Sequence, residues 1–407
     1  MKVLVCVARL GIGGTQLNAI DLASALQHRG HEVAVVAPAP GPLATNVADR
    51  GVRLILLDQQ PAHPLSGRTA WKLGRVAAAE GADLVHAWST PTSLEAFFGA
   101  HVLHGVPLLA SIMSMVVPER FPKSVPLIVG TRFLEEQARA RARPAPVFLI
   151  EPPVDTDRDH PGVEARDFLQ HDSLLPDCLR IVIVSRLDFA MKLEGLERLV
   201  DATAELAHEF RIQLIIVGGG PAQATLQQRA DMVNSHLGQR AVLLMGPMVD
   251  PGPAYAAADV VVGMGGSILR GMAFGKPAVV VGEAGFSAIV SPSTSDYFLR
   301  NGFWGVGQSS DETTTLLAQL RTLLEDPDRR TQLGGFGRQL VLQHYNLSSA
   351  AAMLESIYQT VVYDAAHRSG ALEVSRTMTW VVGFKAKSRT TRAVRRIRST
   401  IASPAGA

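Results

Sequence analysis

Two basic side chains, Arg186 and Lys192, lie in a stretch that could bind a diphosphate. The stretch follows an apolar run at 181–184, which predicts a buried parallel strand, and it precedes Leu196 and Leu199, which recur at helical spacing. We therefore expect both cations on the loop between the carboxyl end of a strand and the start of a helix. Ligands of open α/β sheets bind at this edge, where two cations can neutralise a diphosphate. The alternative is a pair of solvated surface charges.

A glycine-rich turn near the amino terminus is a second candidate phosphate contact. Residues 2–7 predict a strand, and Gly13 and Gly14 then precede a helical pattern that ends before Gly30. Glycines let the backbone approach a ligand closely, and the helix amino terminus behind them favours negative charge. The turn is not Gly-x-Gly-x-x-Gly, because Gln16 occupies the last position, and this disfavours dinucleotide binding. Glycines that serve only the geometry of a helix start are the alternative.

The rest of the chain predicts how these loops are positioned. Its 407 residues are 47% hydrophobic and 19% charged, which is enough apolar material for two domains with separate cores. Strand and helix patterns alternate in both halves, and this indicates βαβ units and parallel sheets. Paired prolines at 152–153 separate the halves as a stiff linker. We predict an α/β fold with two Rossmann-like, doubly wound domains facing a cleft.

Three segments resemble the retaining glycosyltransferases of the GT-B fold, specifically family 4-like enzymes ("glycosyl transferases group 1"). They are the Ser185-Arg186-Leu187 loop with Lys192, the stretch at 152–155 and the Met-Ala-Phe-Gly-Lys-Pro sequence at 272–277. The resemblance covers residues 1 to about 366. It implies that Arg186 and Lys192 act as catalytic residues on the donor diphosphate. It also implies that Gly13 and Gly14 bind the donor diphosphate from across the cleft.

The resemblance implies a domain organisation in which the two halves bind different substrates. The expected segments are an N-terminal, Rossmann-like, acceptor-binding domain at 1–150, a hinge at 151–160, a C-terminal nucleotide-sugar-binding domain at 161–347, a helix crossing back to the first domain at 348–366, and a basic tail at 371–407.

The chain departs from the family at the loop that binds the donor sugar. Typical relatives carry two glutamates there, whereas this chain has a shorter loop with neither, and Arg270 stands where the second would align. Gly265, Gly266 and Ser267 open a helix in this loop, so free backbone N–H groups and a hydroxyl predict a variant that binds phosphate. Glu283, after the next strand, could replace the missing ribose contact. The alternative is a degenerate site.

His86 is the candidate on the acceptor side, because it ends a predicted strand at the ligand edge. A strand-end histidine hydrogen-bonded to backbone is the alternative. Many relatives carry a further histidine after the next strand, where this chain has Ser-Ile-Met-Ser-Met at 111–115. The usual geometry on the acceptor side is therefore not expected.

The implied activity is glycosyl transfer, of a hexose or a related sugar, from a nucleotide-diphospho-sugar to an unknown acceptor with retention of configuration. We expect no metal, because no Asp-x-Asp motif lies at a predicted sheet edge, and no cofactor, because the nucleotide-sugar is a substrate. Two alternatives stay open. One is a non-catalytic, nucleotide-binding GT-B homologue that has lost its sugar contacts, and the other is a nucleotide-sugar epimerase with the same architecture.

Charge is distributed unevenly along the chain. The net charge is +2, yet residues 376–407 carry eight Lys or Arg and no Asp or Glu, which leaves about −6 on the rest. A mildly acidic body argues against a nucleic-acid partner. The basic tail, which follows the apolar stretch 380–384, predicts docking on an anionic membrane surface, with a solvated disordered tail as the alternative. Without a secretory signal or an apolar run of roughly 20 residues, we expect a cytoplasmic protein, peripheral to the inner face of the membrane.

Overall fold

The computed structural model describes residues 1–59, 65–114, 116–307, 313–364 and 370–383, and it divides into two compact units. The first unit contains Met1–Gly130, Leu134–Ile150 and the chain from Ala351 onward, and the second contains Thr131–Phe133 and Glu151–Ala350. Each unit has its own sheet and its own hydrophobic core. The predicted fold class, two parallel-sheet α/β domains, is confirmed.

The first unit is built on a seven-stranded, all-parallel sheet. Its strands are mostly short apolar runs buried on both faces, the composition expected where helices cover both sides of a sheet. The strands are β1 (Lys2–Cys6), β2 (Glu32–Ala37), β3 (Arg53–Leu56), β4 (Leu84–Trp88), β5 (Leu108–Ile112), β6 (Leu127–Val129) and β7 (Val147–Leu149). The strand order is β3-β2-β1-β4-β5-β6-β7. Strands β2 and β3 are added on one side of β1 and strands β4 to β7 on the other, so the order of addition reverses between β1 and β4. The loops after these two strands therefore flank a topological switch point, the usual ligand position of such sheets.

The second unit has a six-stranded sheet that is parallel except at one edge. Its strands are β8 (Leu179–Val184), β9 (Ile212–Val217), β10 (Val242–Gly246), β11 (Val260–Gly263), β12 (Ala278–Val281) and β13 (Ser287–Ile289). The order is β10-β9-β8-β11-β12-β13, and only β13 is antiparallel to its neighbour. Here the switch point lies between β8 and β11, so the loops that follow these two strands flank it.

The helices follow the strands in βαβ fashion. The first five are α1 (Gly14–His28), α2 (Ala44–Asp49), α3 (Gly67–Ala79), α4 (Thr90–Ala96), which continues as a π-helical turn (Phe97–Val102), and α5 (Arg132–Arg139). The next are α6 (Arg166–Leu169), α7 (Leu193–Leu206), α8 (Gln223–Leu237), α9 (Gly252–Ala256), α10 (Gly266–Ala273), α11 (Ser295–Asn301), α12 (Thr313–Glu325) and α13 (Pro327–His344).

Two C-terminal helices complete the described chain, α14 (Leu347–Tyr363) and α15 at 371–383. From Ala351 onward α14 belongs to the first unit, where Glu355 accepts hydrogen bonds from Arg29 and is paired with His31 at 2.9 Å. The α15 helix is held to the same unit by Glu373, which accepts the N–H groups of Lys123 and Ser124. Within the described ranges no helix combines the length and the apolar character needed to cross a membrane.

Candidate functional site

The loop at 185–192 joins β8 to α7 at the switch point of the second sheet. Its backbone presses against the loop that follows β9, and this approach depends on two glycines. Gly218 and Gly220 have φ of 147° and 156°, and a Cβ at either would overlap the carbonyl oxygen of Ser185 or Leu187, respectively. These glycines therefore position the cation-bearing loop.

Arg186 and Lys192 both lie on this loop, as predicted, but in different surroundings. The Arg186 side chain is 55% exposed, and its guanidinium is 3.9 Å from the Asp188 carboxylate. Lys192 is half-buried at the N-cap of α7, and its ammonium has no hydrogen-bond or ion-pair partner among the described residues. Burial and the positive charge of Arg186 lower the pKa of Lys192 to about 8. An incoming anion would relieve both effects, so the pair has the electrostatics of an anion site.

The loop after β12 lies against the start of α7. Glu194, in the first turn of that helix, accepts the N–H groups of Ala284 and Gly285 at 3.1 and 2.6 Å. The neighbouring Glu283 donates its backbone N–H to the carbonyl of Gly305 at 3.0 Å, and its side chain is half-buried. The structure thus brings the predicted ribose contact, Glu283, to the same sheet edge as the Lys192 loop.

The third predicted contact, Gly265–Ser267, lies at the start of α10, after β11. Gly265 has φ 60° and ψ −136°, a backbone conformation almost restricted to glycine. The N–H groups of Gly266 and Ser267 belong to the first turn, where no intrahelical acceptor exists. The Ser267 hydroxyl donates to the Met264 carbonyl at 2.9 Å, so it can serve a ligand only as an acceptor. Because β11 lies between β8 and β12, this turn and the Lys192 loop flank one switch point.

Arg270 has a structural contact in place of the predicted donor contact. Its guanidinium makes two hydrogen bonds to Asp159, Nε to Oδ2 at 2.7 Å and Nη2 to Oδ1 at 2.9 Å, and it lies 3.5 Å from Asp250. The Arg270 and Asp159 side chains are 15% and 1% exposed. A guanidinium already bound to a buried carboxylate by two hydrogen bonds is not available to a diphosphate. The prediction that Arg270 binds the donor is therefore wrong.

Gly13 is the N-cap of α1 and Gly14 is its first residue, at the switch point of the first sheet. A Cβ on Gly14 would meet no atom within 4 Å, and one on Gly13 would meet only the side chain of Gln16. Close packing therefore does not explain the glycine at position 14. No side chain in the described part of the protein caps the helix, so its first N–H groups are open to an anion.

His86 belongs to the core of the first unit, which corrects its predicted role on the acceptor side. The residue is fully buried, with Nδ1 2.7 Å from the Tyr358 hydroxyl and Nε2 2.7 Å from the Ser111 hydroxyl. Burial lowers the pKa of His86 to about 3, so the ring is neutral and one nitrogen donates while the other accepts. With both nitrogens engaged, the ring joins β4 and β5 to α14 and presents nothing to an acceptor.

This burial predicts a pH-dependent stability. The unfolded ring titrates near pH 6.5 and the folded ring near 3, so the stability contribution is complete above about pH 6.5 and is lost as the pH falls towards 3. Between these values we expect the burial of His86 to lower the free energy of unfolding by up to about 1.4 kcal/mol for each unit by which the pH falls. Urea unfolding of the wild type and of His86→Gln at pH 7 and pH 5 measures this slope. His236→Gln, which changes an exposed ring, should keep the wild-type slope, and so would His86→Gln if this assignment were wrong.

Two doubly wound α/β units, each with a candidate phosphate loop at its switch point, define a Rossmann-like class of protein. Residues 178–326 match the family model described as Glycosyl transferases group 1, and residues 12–158 match the model described as Glycosyltransferase Family 4. The chain belongs to the GT-B glycosyltransferases.

Two curated relatives show how far the similarity extends. The chain is 28% identical over 256 residues to D-inositol 3-phosphate glycosyltransferase of Kineococcus radiotolerans, an alignment that covers 56% of this chain and 55% of that protein. It is 22% identical over 389 residues to N-acetyl-alpha-D-glucosaminyl L-malate synthase of Bacillus anthracis, covering 87% and 95%. The chain thus matches about half the length of the first relative and nearly all of the second.

Solved structures share the fold at low sequence identity. A glycosyltransferase from Rickettsia africae has a TM-score of 0.69 at 15% identity, covering 89% of this chain and 99% of that one. Anabaena HepE in complex with UDP and glucose has a TM-score of 0.68 at 18% identity, covering 88% and 99%. A UDP-GlcNAc 2-epimerase from Neisseria meningitidis has a TM-score of 0.60 at 14% identity, covering 88% and 100%. Architecture alone therefore does not separate transferases from epimerases.

Proposed function

We propose that the protein transfers a glycosyl group from a nucleotide-diphospho-sugar to an acceptor with retention of configuration and without a metal. The observation that carries this proposal is the half-buried Lys192, whose ammonium is unpaired within the described residues, beside Arg186 at the switch point of the second sheet. Breaking the sugar–phosphate bond places new negative charge on a departing diphosphate. Fixed cations in a partly dry site stabilise that charge more effectively than water does.

Other residues of the second unit have supporting roles in this proposal. The open N–H groups of Gly266 and Ser267 bind a phosphate oxygen, and Glu283 binds the ribose. In the first unit, which takes the acceptor, the Gly13 and Gly14 turn offers a further phosphate contact. With His86 committed to the core, the acceptor contacts come from other groups of that unit.

A ligand screen with a turnover assay tests the proposal. Stabilisation by one of UDP-, GDP-, ADP- or TDP-sugars, followed by release of the nucleoside diphosphate with an unchanged anomeric configuration, is the expected result. Binding without any turnover would favour the non-catalytic alternative. Conversion of the sugar while it stays linked to the nucleotide would favour the epimerase. If none of the four classes binds, the proposal is wrong.

We propose in addition that the tail docks on an anionic membrane surface. The α15 helix buries Thr377 and Val381 against the first unit and leaves Leu372, Met378 and Val382 exposed, so its outer face is partly apolar. The predicted basic cluster lies outside the described residues; its members are Lys385, Lys387, Arg389, Arg392, Arg395, Arg396 and Arg398. Each basic residue near an anionic bilayer contributes about 1 kcal/mol of binding.

Liposome flotation can separate the charge from the apolar face. We expect the full chain to float with vesicles of phosphatidylcholine and phosphatidylglycerol, and recovery to fall sharply after truncation following Gly383, which removes the cluster but keeps α15. Serine at Leu372, Met378 and Val382 should reduce recovery further. Vesicles of phosphatidylcholine alone are the control. Equal recovery of the full and truncated chains with anionic vesicles would show that the basic tail does not dock on the membrane.

A further inference from the structure

The turn that carries Glu283 is held by a carboxylate from another element. Glu194 accepts the N–H of Gly285 through Oε1 at 2.6 Å and the N–H of Ala284 through Oε2 at 3.1 Å. Ala284 and Gly285 have φ of 49° and 81°, so two successive residues are left-handed and their N–H groups converge on one anion. An alanine disfavours this conformation, so the turn needs a contact from outside to hold it.

The other side of the turn is fixed by backbone. Glu283 donates its N–H to the Gly305 carbonyl at 3.0 Å and accepts the N–H of Gly307 at 2.9 Å. A Cβ at Gly282 would overlap the Gly305 carbonyl, so the two segments lie in close contact. One flank of Glu283 is therefore set by main-chain pairing and the other by the Glu194 side chain.

Glu194 also lies two residues after Lys192, in the first turn of α7. Its charge is offset by two N–H donors and by the amino terminus of the helix, so it need not neutralise the neighbouring cations. We infer that Glu194 is a positioning residue, which fixes Glu283 relative to Lys192 so that the ribose and the diphosphate of one donor are bound together. This inference rests on the proposed function, in which Glu283 contacts the ribose.

Substitutions at Glu194 should change donor binding and leave the chemical step intact. We expect Glu194→Ala to raise the donor KM, and the Kd of whichever of UDP, GDP, ADP and TDP binds the wild type most tightly, about tenfold, while kcat changes less than about twofold. Glu194→Gln should be intermediate, because an amide side chain keeps one acceptor oxygen. Glu197→Ala, on the same helix and half-exposed, is the matched control and should behave like the wild type. A melting temperature unchanged in all three variants without ligand would exclude a general loss of folding.

A double variant tests whether Glu194 affects donor binding through Glu283. Because Glu194 acts through Glu283, adding Glu194→Ala to Glu283→Ala should raise the donor KM little beyond the Glu283→Ala value. Full additivity, a wild-type KM for Glu194→Ala, or a Glu283→Ala enzyme with normal donor binding would each overturn the inference. Failure of the proposed function is distinguishable, because none of UDP, GDP, ADP and TDP would then bind the wild type, or Lys192→Ala would keep normal turnover.

Discussion

Replacing Lys192 by alanine is expected to lower turnover about 10²–10³-fold while the affinity for the nucleoside part of the donor changes little. In the proposed reaction Lys192 meets charge that grows as the sugar–phosphate bond breaks. An interaction that is stronger in the transition state than in the ground state appears in kcat, whereas uniform binding appears in KM. Steady-state kinetics with the donor identified by the screen, together with titration of the free nucleoside diphosphate, measures both quantities.

Arg186→Ala should behave in the same way, and the double variant should lose less than the product of the single losses, since both cations act on one diphosphate. Arg240→Ala is the matched control. This exposed arginine lies just before β10, at the amino ends of the strands, whereas the loop at 185–192 lies at their carboxyl ends. Near-normal turnover of Lys192→Ala, with its natural donor and acceptor, would show that the loop at 185–192 is not the catalytic diphosphate site.

The pH profile supplies an independent measurement of Lys192. Its pKa of about 8 in the free protein means that it loses its proton above pH 8, so kcat/KM, which reports groups of the free enzyme, should fall there. Lys192→Arg should move this fall to higher pH, because a guanidinium stays protonated. A profile that is flat from pH 7 to 10 in the wild type would contradict the assignment.

The fold could be predicted because the strands of a parallel sheet are buried on both faces. Such strands appear in the sequence as continuous apolar runs, and those at 181–184, 214–217 and 278–281 lie in β8, β9 and β12. The glycine turn at 265–266 could also be predicted, because successive glycines after an apolar run favour a tight turn, and Gly265 has φ 60°. Local pattern therefore located the loops that carry the candidate phosphate contacts.

The contacts of individual side chains could not be predicted in the same way. His86 and Arg270 stand at positions that suit a ligand, yet their partners Tyr358 and Asp159 lie far away in the sequence. Nothing in the local spacing distinguishes a polar residue that meets a ligand from one that meets a buried partner. The contact of Glu194 with the turn after β12 was missed for the same reason, although its position two residues after Lys192 was a usable signal.

Asp159→Ala is expected to lower the free energy of unfolding of the second unit by about 3–5 kcal/mol, because it leaves a buried guanidinium without its partner. Asp159 is 1% exposed, and the carboxylate that remains near Arg270, Asp250, is 64% exposed and 3.5 Å away. Burial alone would raise the pKa of Asp159, but the hydrogen bonds and charge of Arg270 outweigh it and hold the pKa below its usual value. The contribution is therefore complete above the unfolded pKa of about 3.9 and is lost as the pH falls through the folded one.

Urea unfolding at neutral pH measures the loss, and two further variants decide its cause. Asp159→Asn keeps the size of the side chain and removes its charge, so a similar loss would identify the ion pair rather than packing. Replacing both partners with apolar residues, as in Asp159→Leu with Arg270→Met, should recover much of the stability, because the buried guanidinium is removed together with its carboxylate. Asp250→Ala should cost less than about 1 kcal/mol, as expected for an exposed pair. If Arg270 instead bound the donor, the double variant would be stable but would show a raised donor KM, whereas a purely structural pair predicts near-normal donor binding once stability is restored.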